Sequence, residues 1–123
     1  KDRHHSLGFL AVTVDEVKCN FKRYHMLDDK VKFLQGWFEE TLPNAPIEQL
    51  AILRLDGDMY GSTIVALENL YPKLNNGGYA IIDDYGVVDG CRKAVLDYRQ
   101  KNGIEDEIIT IDKSSCYWKK QDN

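Results

Sequence analysis

Apolar residues follow a helical period in some segments of the chain and form short continuous runs in others. Segment 13–27 has helical spacing, and Thr13 and Glu16 stand at the distance of a capping box at its start. Leu50–Leu55 is a nearly continuous apolar run, too short for an average helix, and predicts a buried parallel strand. In chain order, the other predicted elements are strand 31–34, helix 62–74, strand 79–82, helix 91–101, and strands 107–111 and 115–119.

From residue 50 onward, the predicted strands and helices alternate, which is the pattern of a parallel α/β sheet with right-handed crossovers. Pro72 should bend or shorten the last turn of the helix that contains it, and segment 75–78 should end that helix. Residues 112–114 are too few for a crossover, so the two final strands should form an antiparallel hairpin. The expected fold is a single α/β domain over residues 1–123, with a mostly parallel sheet that closes in this hairpin.

Composition and charge restrict the classes of function. The 123 residues are 43% hydrophobic and 29% charged, as in ordinary soluble globular domains. The formal net charge of -4 gives no support for a nucleic-acid partner, and no apolar run is long enough to span a membrane or form a signal peptide. Three cysteines without a C-x-x-C spacing favour reduced thiols in the cytoplasm over a zinc site or a disulfide framework.

Three aspartates stand at the ends of predicted strands. Asp56 follows strand 50–55, and Asp83 with Asp84 follows the next strand along the chain. Such strands are usually neighbours, so the carboxylates should meet at the carboxyl edge of the sheet. They would repel one another without a cation, and an all-oxygen set favours Mg²⁺, Mn²⁺ or Ca²⁺. Aspartates at such turns also cap helices, so spacing alone leaves both interpretations open, and Asp58 is expected in the turn or facing solvent.

Several linked motifs resemble the macrocin O-methyltransferase family. In chain order they are Gly36-Trp37-Phe38, Thr41-Leu42-Pro43, LRLDGDMYGST at 53–63, LYPKL at 70–74, GGYAIIDDYG at 77–86 and CRKAV at 91–95. The similarity extends from the first helix to the last strand. Several motifs in the same order make it more specific than a single glycine pattern.

This resemblance implies a Rossmann-like class I methyltransferase fold and a reaction that uses S-adenosylmethionine. Family members methylate sugar hydroxyls on antibiotics and related glycosides, so the implied partner is a small sugar or glycoside. They hold Mg²⁺ through aspartates that match Asp56, Asp83 and Asp84. The implied chemistry is in-line transfer of a methyl group to a sugar oxygen that the cation orients and helps to deprotonate.

The resemblance also suggests roles for six further residues. They are His5 and His4 as general base, Gly36 and Trp37 near the adenine of the cofactor, and Tyr60 and Tyr85 in the sugar pocket. Spacing favours His5 over its neighbour, although both histidines are also compatible with a surface location. Gly36 and Trp37 are explained equally well as a turn glycine beside a core tryptophan. Tyrosines placed like Tyr60 and Tyr85 commonly pack in a core.

The family pattern is incomplete in this sequence. It contains no glycine-rich loop to hold the methionine end of the cofactor, and it opens with Lys1 rather than Met. We therefore expect the C-terminal part of a methyltransferase fold, which alone binds S-adenosylmethionine weakly or not at all and is inactive. Strand 50–55 would then have an unpaired edge that invites association, so homo-oligomerisation stays open.

Two other functions stay open. One is a non-catalytic remnant of such a methyltransferase, which the missing cofactor loop favours. The other is a signalling receiver domain, which also gathers aspartates and Mg²⁺ at strand ends, but with the acidic pair before the single aspartate. Here Asp56 precedes the pair Asp83 and Asp84, so the receiver interpretation is the weaker one.

Overall fold

The computed structural model describes residues 11–122, so the predicted base histidines His5 and His4 lie outside the described residues. The chain divides into two compact units, residues 1–37 and 38–123. None of the helices in residues 11–122 is long and apolar enough to cross a membrane. Cys19, Cys91 and Cys116 are unbridged.

The described part of the first unit contains one helix, α1 (Val14–Arg23). The predicted capping box is present: Thr13 Oγ1 accepts the Glu16 amide, and the Glu16 carboxylate accepts the Thr13 amide. The helix ends earlier than its apolar period predicted, and His25 follows with a φ of 56°. A residue in this left-handed conformation cannot continue a right-handed helix.

The strand predicted at 31–34 is wrong. The segment pairs with no strand within residues 11–122. Its Phe33 ring packs instead against Phe21 of α1, edge to face with 5.8 Å between the ring centres, and Lys18 lies 5.5 Å from the Phe33 ring centre. This short apolar run packs against a helix. Its sequence pattern is the same as that of a short strand, so the pattern alone does not distinguish the two.

The second unit is a four-stranded sheet with helices between its strands. Its elements are α2 (Phe38–Thr41), β1 (Leu50–Leu55), α3 (Tyr60–Leu70), a 3-10 turn (Tyr71–Lys73), β2 (Leu74–Ile82), α4 (Asp89–Lys101), β3 (Ile109–Thr110) and β4 (Cys116–Lys119). The strand order is β1-β2-β4-β3. Strands β1 and β2 are parallel, and the pairs β2-β4 and β3-β4 are antiparallel.

The predicted α/β fold and its C-terminal antiparallel hairpin are confirmed. The parallel part is smaller than expected, because β1 and β2 form the one parallel pair within the described residues. Two observations account for the difference. The expected strand at 31–34 does not form, and β4 inserts between β2 and β3.

Strand β2 is longer than the sequence predicted, because it includes segment 75–78, which was expected only to end a helix. The 3-10 turn at Pro72 ends that helix instead. Pairing with β1 is irregular across the segment, where the register between the two strands shifts. Gly77 has a φ of 82°, and a Cβ at Gly78 would lie 2.7 Å from the Ala51 carbonyl oxygen. Glycine at both positions therefore allows this shift in the β1-β2 register.

The core of the second unit combines side chains from β1, α3, β2, α4 and β4. Trp118 of β4 is fully buried, and its Nε1–H donates to the Tyr71 hydroxyl at 3.1 Å. The Arg99 guanidinium lies 4.7 Å from the Trp118 ring centre. This packing holds the C-terminal hairpin against the helices and thereby fixes β2 from its other side.

Strand β1 is half-buried, so the prediction of a buried strand was right for one face only. Leu53 and Leu55 are buried, whereas Ala51 and Arg54 are exposed and Ile52 is 58% exposed. Within residues 11–122, β1 lies at the edge of the sheet and pairs with β2 alone. This is the unpaired edge expected from the sequence.

Candidate active site

The carboxyl ends of β1 and β2 bring the three predicted aspartates together. Leu55 pairs with Ile82, and the Asp83 amide donates to the Leu55 carbonyl at 2.9 Å. Asp56 and Asp83 therefore leave their strands side by side, and Asp84 follows. One carboxylate oxygen from each aspartate lies within 4.8 Å of the other two. The strand order thus produces the acidic cluster that the sequence predicted at this edge of the sheet.

Arg54 neutralises part of this negative charge. Its Nη2 lies 2.7 Å from Asp83 Oδ1 and 3.3 Å from Asp56 Oδ2. Hydrogen bonding to Asp83, and then the charge of Asp83, raise the pKa of Arg54. The pKa of Asp56 is raised, first by burial and then by the charge of Asp83. The guanidinium therefore links the ends of two strands and holds two carboxylates close to each other.

Asp84 has a buried oxygen without a donor. Its Oδ2 has no hydrogen-bond partner within the described residues. Hydrogen bonding with Asp58, burial, and the charges of Asp58 and Asp83 raise the pKa of Asp84 to about 6. A buried carboxylate oxygen is costly unless a donor or a cation satisfies it.

This set of donors fits a hard divalent cation. The three carboxylates supply oxygen ligands, and their spacing allows one ion to contact all of them. The set includes neither cysteine nor histidine, which the softer transition metals prefer. A cation here would offset the charges of Asp58 and Asp83, which help to raise the pKa of Asp84.

The turn after β1 places Asp58 beside Asp84. A Cβ at Gly57 would lie 3.1 Å from the Ser62 side chain and 3.2 Å from the Phe38 ring, so the turn leaves no room for a larger residue. Ser62 Oγ donates to the Gly57 carbonyl and to the Met59 carbonyl, which ties the turn to the start of α3. Asp58 adopts a φ of 58°, a conformation that aspartate tolerates better than most residues.

Sequence reasoning missed Arg54 and the contact of Asp58 with Asp84. The signal for Arg54 was available, because residues two apart on a strand share a face, and Asp56 follows Arg54 at that distance. Asp58 does lie in the turn, as predicted. Its approach to Asp84 depends on a positive φ after a glycine, which no periodicity reveals.

The two tyrosines predicted to line a sugar pocket have different surroundings. The Tyr60 hydroxyl donates to Asp97 Oδ2 at 2.9 Å, and Lys93 lies 5.5 Å from the Tyr60 ring centre, so this residue links α3 to α4. The hydrogen bond to Asp97 also raises the pKa of Tyr60. Tyr85 directly follows Asp84, is partly buried against the core, and lines a cavity of about 450 Å³.

The predicted adenine-contacting residues belong to the first unit. Gly36 has a φ of 139°, which favours glycine at this position. Trp37 is 50% exposed, so it is not a core tryptophan within the described residues, and part of its ring surface is open to a ligand. His5 and His4, outside the described residues, stay predictions from the sequence.

Known proteins resemble this chain over nearly its whole length. A family model described as macrocin-O-methyltransferase (TylF) matches residues 1–120. The chain is 54% identical over 116 residues to 8-demethyl-8-(2,3-dimethoxy-alpha-L-rhamnosyl)-tetracenomycin-C 4'-O-methyltransferase of Streptomyces olivaceus, covering 94% of this chain and 44% of that protein. It is 52% identical over 117 residues to demethyldecarbamoylnovobiocin O-methyltransferase of Streptomyces niveus, covering 95% and 45%.

Solved structures give the same result. The O-methyltransferase NovP matches with a TM-score of 0.94 and 51% identity, covering 97% of this chain and 49% of that chain. The calicheamicin methyltransferase CalS11, at a TM-score of 0.71 and 17% identity, shares the fold. The chain spans less than half the length of the curated relatives it matches. Because the family model covers 120 of its residues, the chain belongs to the macrocin O-methyltransferase family.

Proposed function

We propose that this chain is the metal-binding and acceptor-binding part of an S-adenosylmethionine-dependent O-methyltransferase that methylates a hydroxyl of a sugar or glycoside. The observation that carries the proposal is the convergence of Asp56, Asp83 and Asp84 within 4.8 Å. The names of the curated relatives support the reaction class, since both describe O-methyltransferases and one specifies a rhamnosylated acceptor. These relatives give no support to the receiver-domain alternative.

Asp56, Asp83 and Asp84 are the proposed ligands of Mg²⁺. When bound, the ion would supply Lewis-acid chemistry that orients an acceptor hydroxyl and favours loss of its proton. The protein contributes the geometry, because two adjacent strand ends fix the origins of the three carboxylates before any ligand binds. Arg54 contributes charge balance, since its guanidinium pairs with Asp56 and Asp83 and offsets part of their negative charge.

S-adenosylmethionine is the proposed methyl donor, as membership of the family implies. Trp37 has exposed ring surface that fits stacking on an adenine, and Gly36 supplies a backbone turn beside it. No glycine-rich loop for the methionine end of the cofactor occurs in the 123 residues. We therefore expect this polypeptide alone to bind the cofactor weakly or not at all, and micromolar affinity would contradict that expectation. His5 and His4 stay the residues proposed to take the proton from the sugar hydroxyl that is methylated.

Isothermal titration with Mg²⁺ tests the metal site directly. The wild-type chain is compared with a double variant, Asp83→Asn with Asp84→Asn, after circular dichroism has verified that both are folded. The matched control is Asp28→Asn with Asp29→Asn, which removes the same charge from a second pair of adjacent aspartates, both of them exposed. We expect binding by the wild type and the control, and none by the first double variant.

A second titration, with S-adenosylmethionine in the presence and absence of Mg²⁺, tests the cofactor. Cofactor binding with methyl transfer to a glycoside would make the polypeptide a working enzyme and contradict the expected inactivity. If the folded wild type bound neither Mg²⁺ nor S-adenosylmethionine, the proposed function would be contradicted. The remnant interpretation would then describe the chain better.

A further inference from the structure

The loop that carries two of the three carboxylates is held by side chains from two other elements. Ser115 Oγ, just before β4, donates to the Asp83 carbonyl at 2.9 Å. Arg92 of α4 donates from Nε to the Tyr85 carbonyl and from Nη2 to the Gly86 carbonyl, both at 2.9 Å. The carbonyls before and after Asp84 are therefore both fixed by side-chain donors.

The Asp84 carbonyl is satisfied within the loop itself. It accepts hydrogen bonds from the amides of Val87 and Val88 at 3.2 and 2.9 Å. All four consecutive carbonyls at positions 83–86 thus have donors. Because each of these carbonyls accepts a hydrogen bond, rotation of any peptide plane in the loop would break at least one hydrogen bond.

The support behind Ser115 is itself rigid. Asp112 Oδ1 accepts the amides of Ser114 and Ser115 at 2.8 and 2.7 Å, together with the Ser114 hydroxyl at 3.0 Å. These bonds, led by the Ser115 amide, lower the pKa of Asp112. An aspartate that bonds the backbone two and three residues further on stabilises a tight turn. The turn therefore presents the Ser115 hydroxyl in a fixed position.

Gly86 lets this turn approach the loop closely. Its amide donates to the Ser114 carbonyl at 2.7 Å, and a Cβ at Gly86 would lie only 2.1 Å from the Lys113 carbonyl oxygen. Close backbone approach of this kind leaves little freedom between the two segments. The turn 112–115 and the loop 83–86 are therefore in direct backbone contact at Gly86.

We propose that Ser115 and Arg92 are positioning residues that set the directions of the Asp83 and Asp84 carboxylates and hence the affinity for Mg²⁺. The inference rests on the proposed function, because it takes these aspartates as the metal ligands. Mg²⁺ requires near-ideal octahedral geometry at about 2.0–2.1 Å, so a small rotation of the peptide planes around Asp84 lowers its affinity. Groups that orient metal ligands typically contribute about tenfold to hundredfold in affinity.

Four variants test this inference by Mg²⁺ titration, at a temperature where thermal unfolding without metal shows every variant to be folded. Ser115→Ala removes the donor to Asp83, and Arg92→Gln removes the paired donors to Tyr85 and Gly86. Ser115→Thr keeps the hydroxyl. The fourth variant, Lys93→Gln, is the matched control for charge, since it removes one cation from the adjacent position of α4.

We expect Ser115→Ala and Arg92→Gln each to weaken Mg²⁺ binding by about tenfold, and Ser115→Thr and Lys93→Gln to bind like the wild type. Wild-type affinity in both Ser115→Ala and Arg92→Gln, alongside loss of binding in the double variant Asp83→Asn with Asp84→Asn, would overturn the inference and leave the proposed function intact. Equal weakening in Ser115→Thr would also overturn it, because the hydroxyl would then be irrelevant. No Mg²⁺ binding by the wild type would contradict the proposed function and this inference together.

Discussion

Arg54 bridges Asp83 and Asp56, with its Nη2 at 2.7 Å from the first carboxylate and 3.3 Å from the second. The Arg54 guanidinium therefore contacts two of the three carboxylates that are proposed to bind Mg²⁺. Both ion pairs are open to solvent, since the Arg54 side chain is 56% exposed. Exposed pairs contribute little to folding, about 0–1 kcal/mol. The main consequence of Arg54 therefore concerns the charge of the site, not the stability of the fold.

Arg54→Gln should strengthen Mg²⁺ binding. The substitution removes a positive charge that repels the incoming cation, and such a charge a few ångströms away is worth roughly tenfold in affinity. Titration calorimetry at low ionic strength measures the change, which added salt should reduce. Arg54→Lys keeps the charge and should bind like the wild type. Weaker binding by the glutamine variant would instead mean that Arg54 acts mainly by holding Asp56 and Asp83 together.

The contribution of Asp84 to the stability of the metal-free chain should fall as pH rises from about 4 to about 7. The pKa of Asp84 is raised to about 6 by hydrogen bonding with Asp58, by burial and by neighbouring charge. A carboxyl with a raised pKa stabilises the fold fully below its unfolded pKa of about 4, and this contribution is lost as pH rises through about 6. Thermal unfolding in a chelator across this pH range measures the effect, as the difference between the wild type and Asp84→Asn.

Asp84→Asn should therefore separate stability from metal binding. At pH 7 without metal, it should raise the Tm by about 4 °C, the shift that 1 kcal/mol gives in a chain of this size. The same variant should lose Mg²⁺ binding. Asp97→Asn is the control, because the pKa of Asp97 is lowered, first by its hydrogen bond with Lys93. A lower Tm for Asp84→Asn would show that this carboxylate is not strained in the metal-free state.

The parts of the site that the sequence predicted are those that depend on strand order. Asp56, Asp83 and Asp84 follow apolar runs, and parallel neighbouring strands bring such positions together whatever the details of packing. The position of Asp58 depends on one positive φ, and the strand predicted at 31–34 depends on a partner that does not form within residues 11–122. Periodicity reports which residues are apolar, but it does not report what covers them.

Tyr71→Phe should destabilise the second unit by about 1–3 kcal/mol, the cost of leaving a buried donor unsatisfied. The variant removes the acceptor of the fully buried Trp118 Nε1–H. Urea unfolding measures the loss, and the midpoint should fall without a change in slope. Tyr79→Phe is the control, because Tyr79 is exposed and should tolerate the same change. Equal stability of both variants would contradict a structural role for the Trp118–Tyr71 bond.

Ile52→Lys should reduce self-association of the isolated chain. Ile52 is 58% exposed on β1, which within residues 11–122 is an edge strand with partners on one side only. A strand edge with an exposed apolar side chain invites pairing with a second copy, and a lysine there opposes it by charge and desolvation. Sedimentation velocity over a concentration series measures the effect, with Leu96→Lys, an exposed apolar residue on helix α4 and not on a strand edge, as the control. We expect the wild type and the α4 variant to associate and the β1 variant to stay monomeric. A wild type that stays monomeric at high concentration would show that the β1 edge is protected.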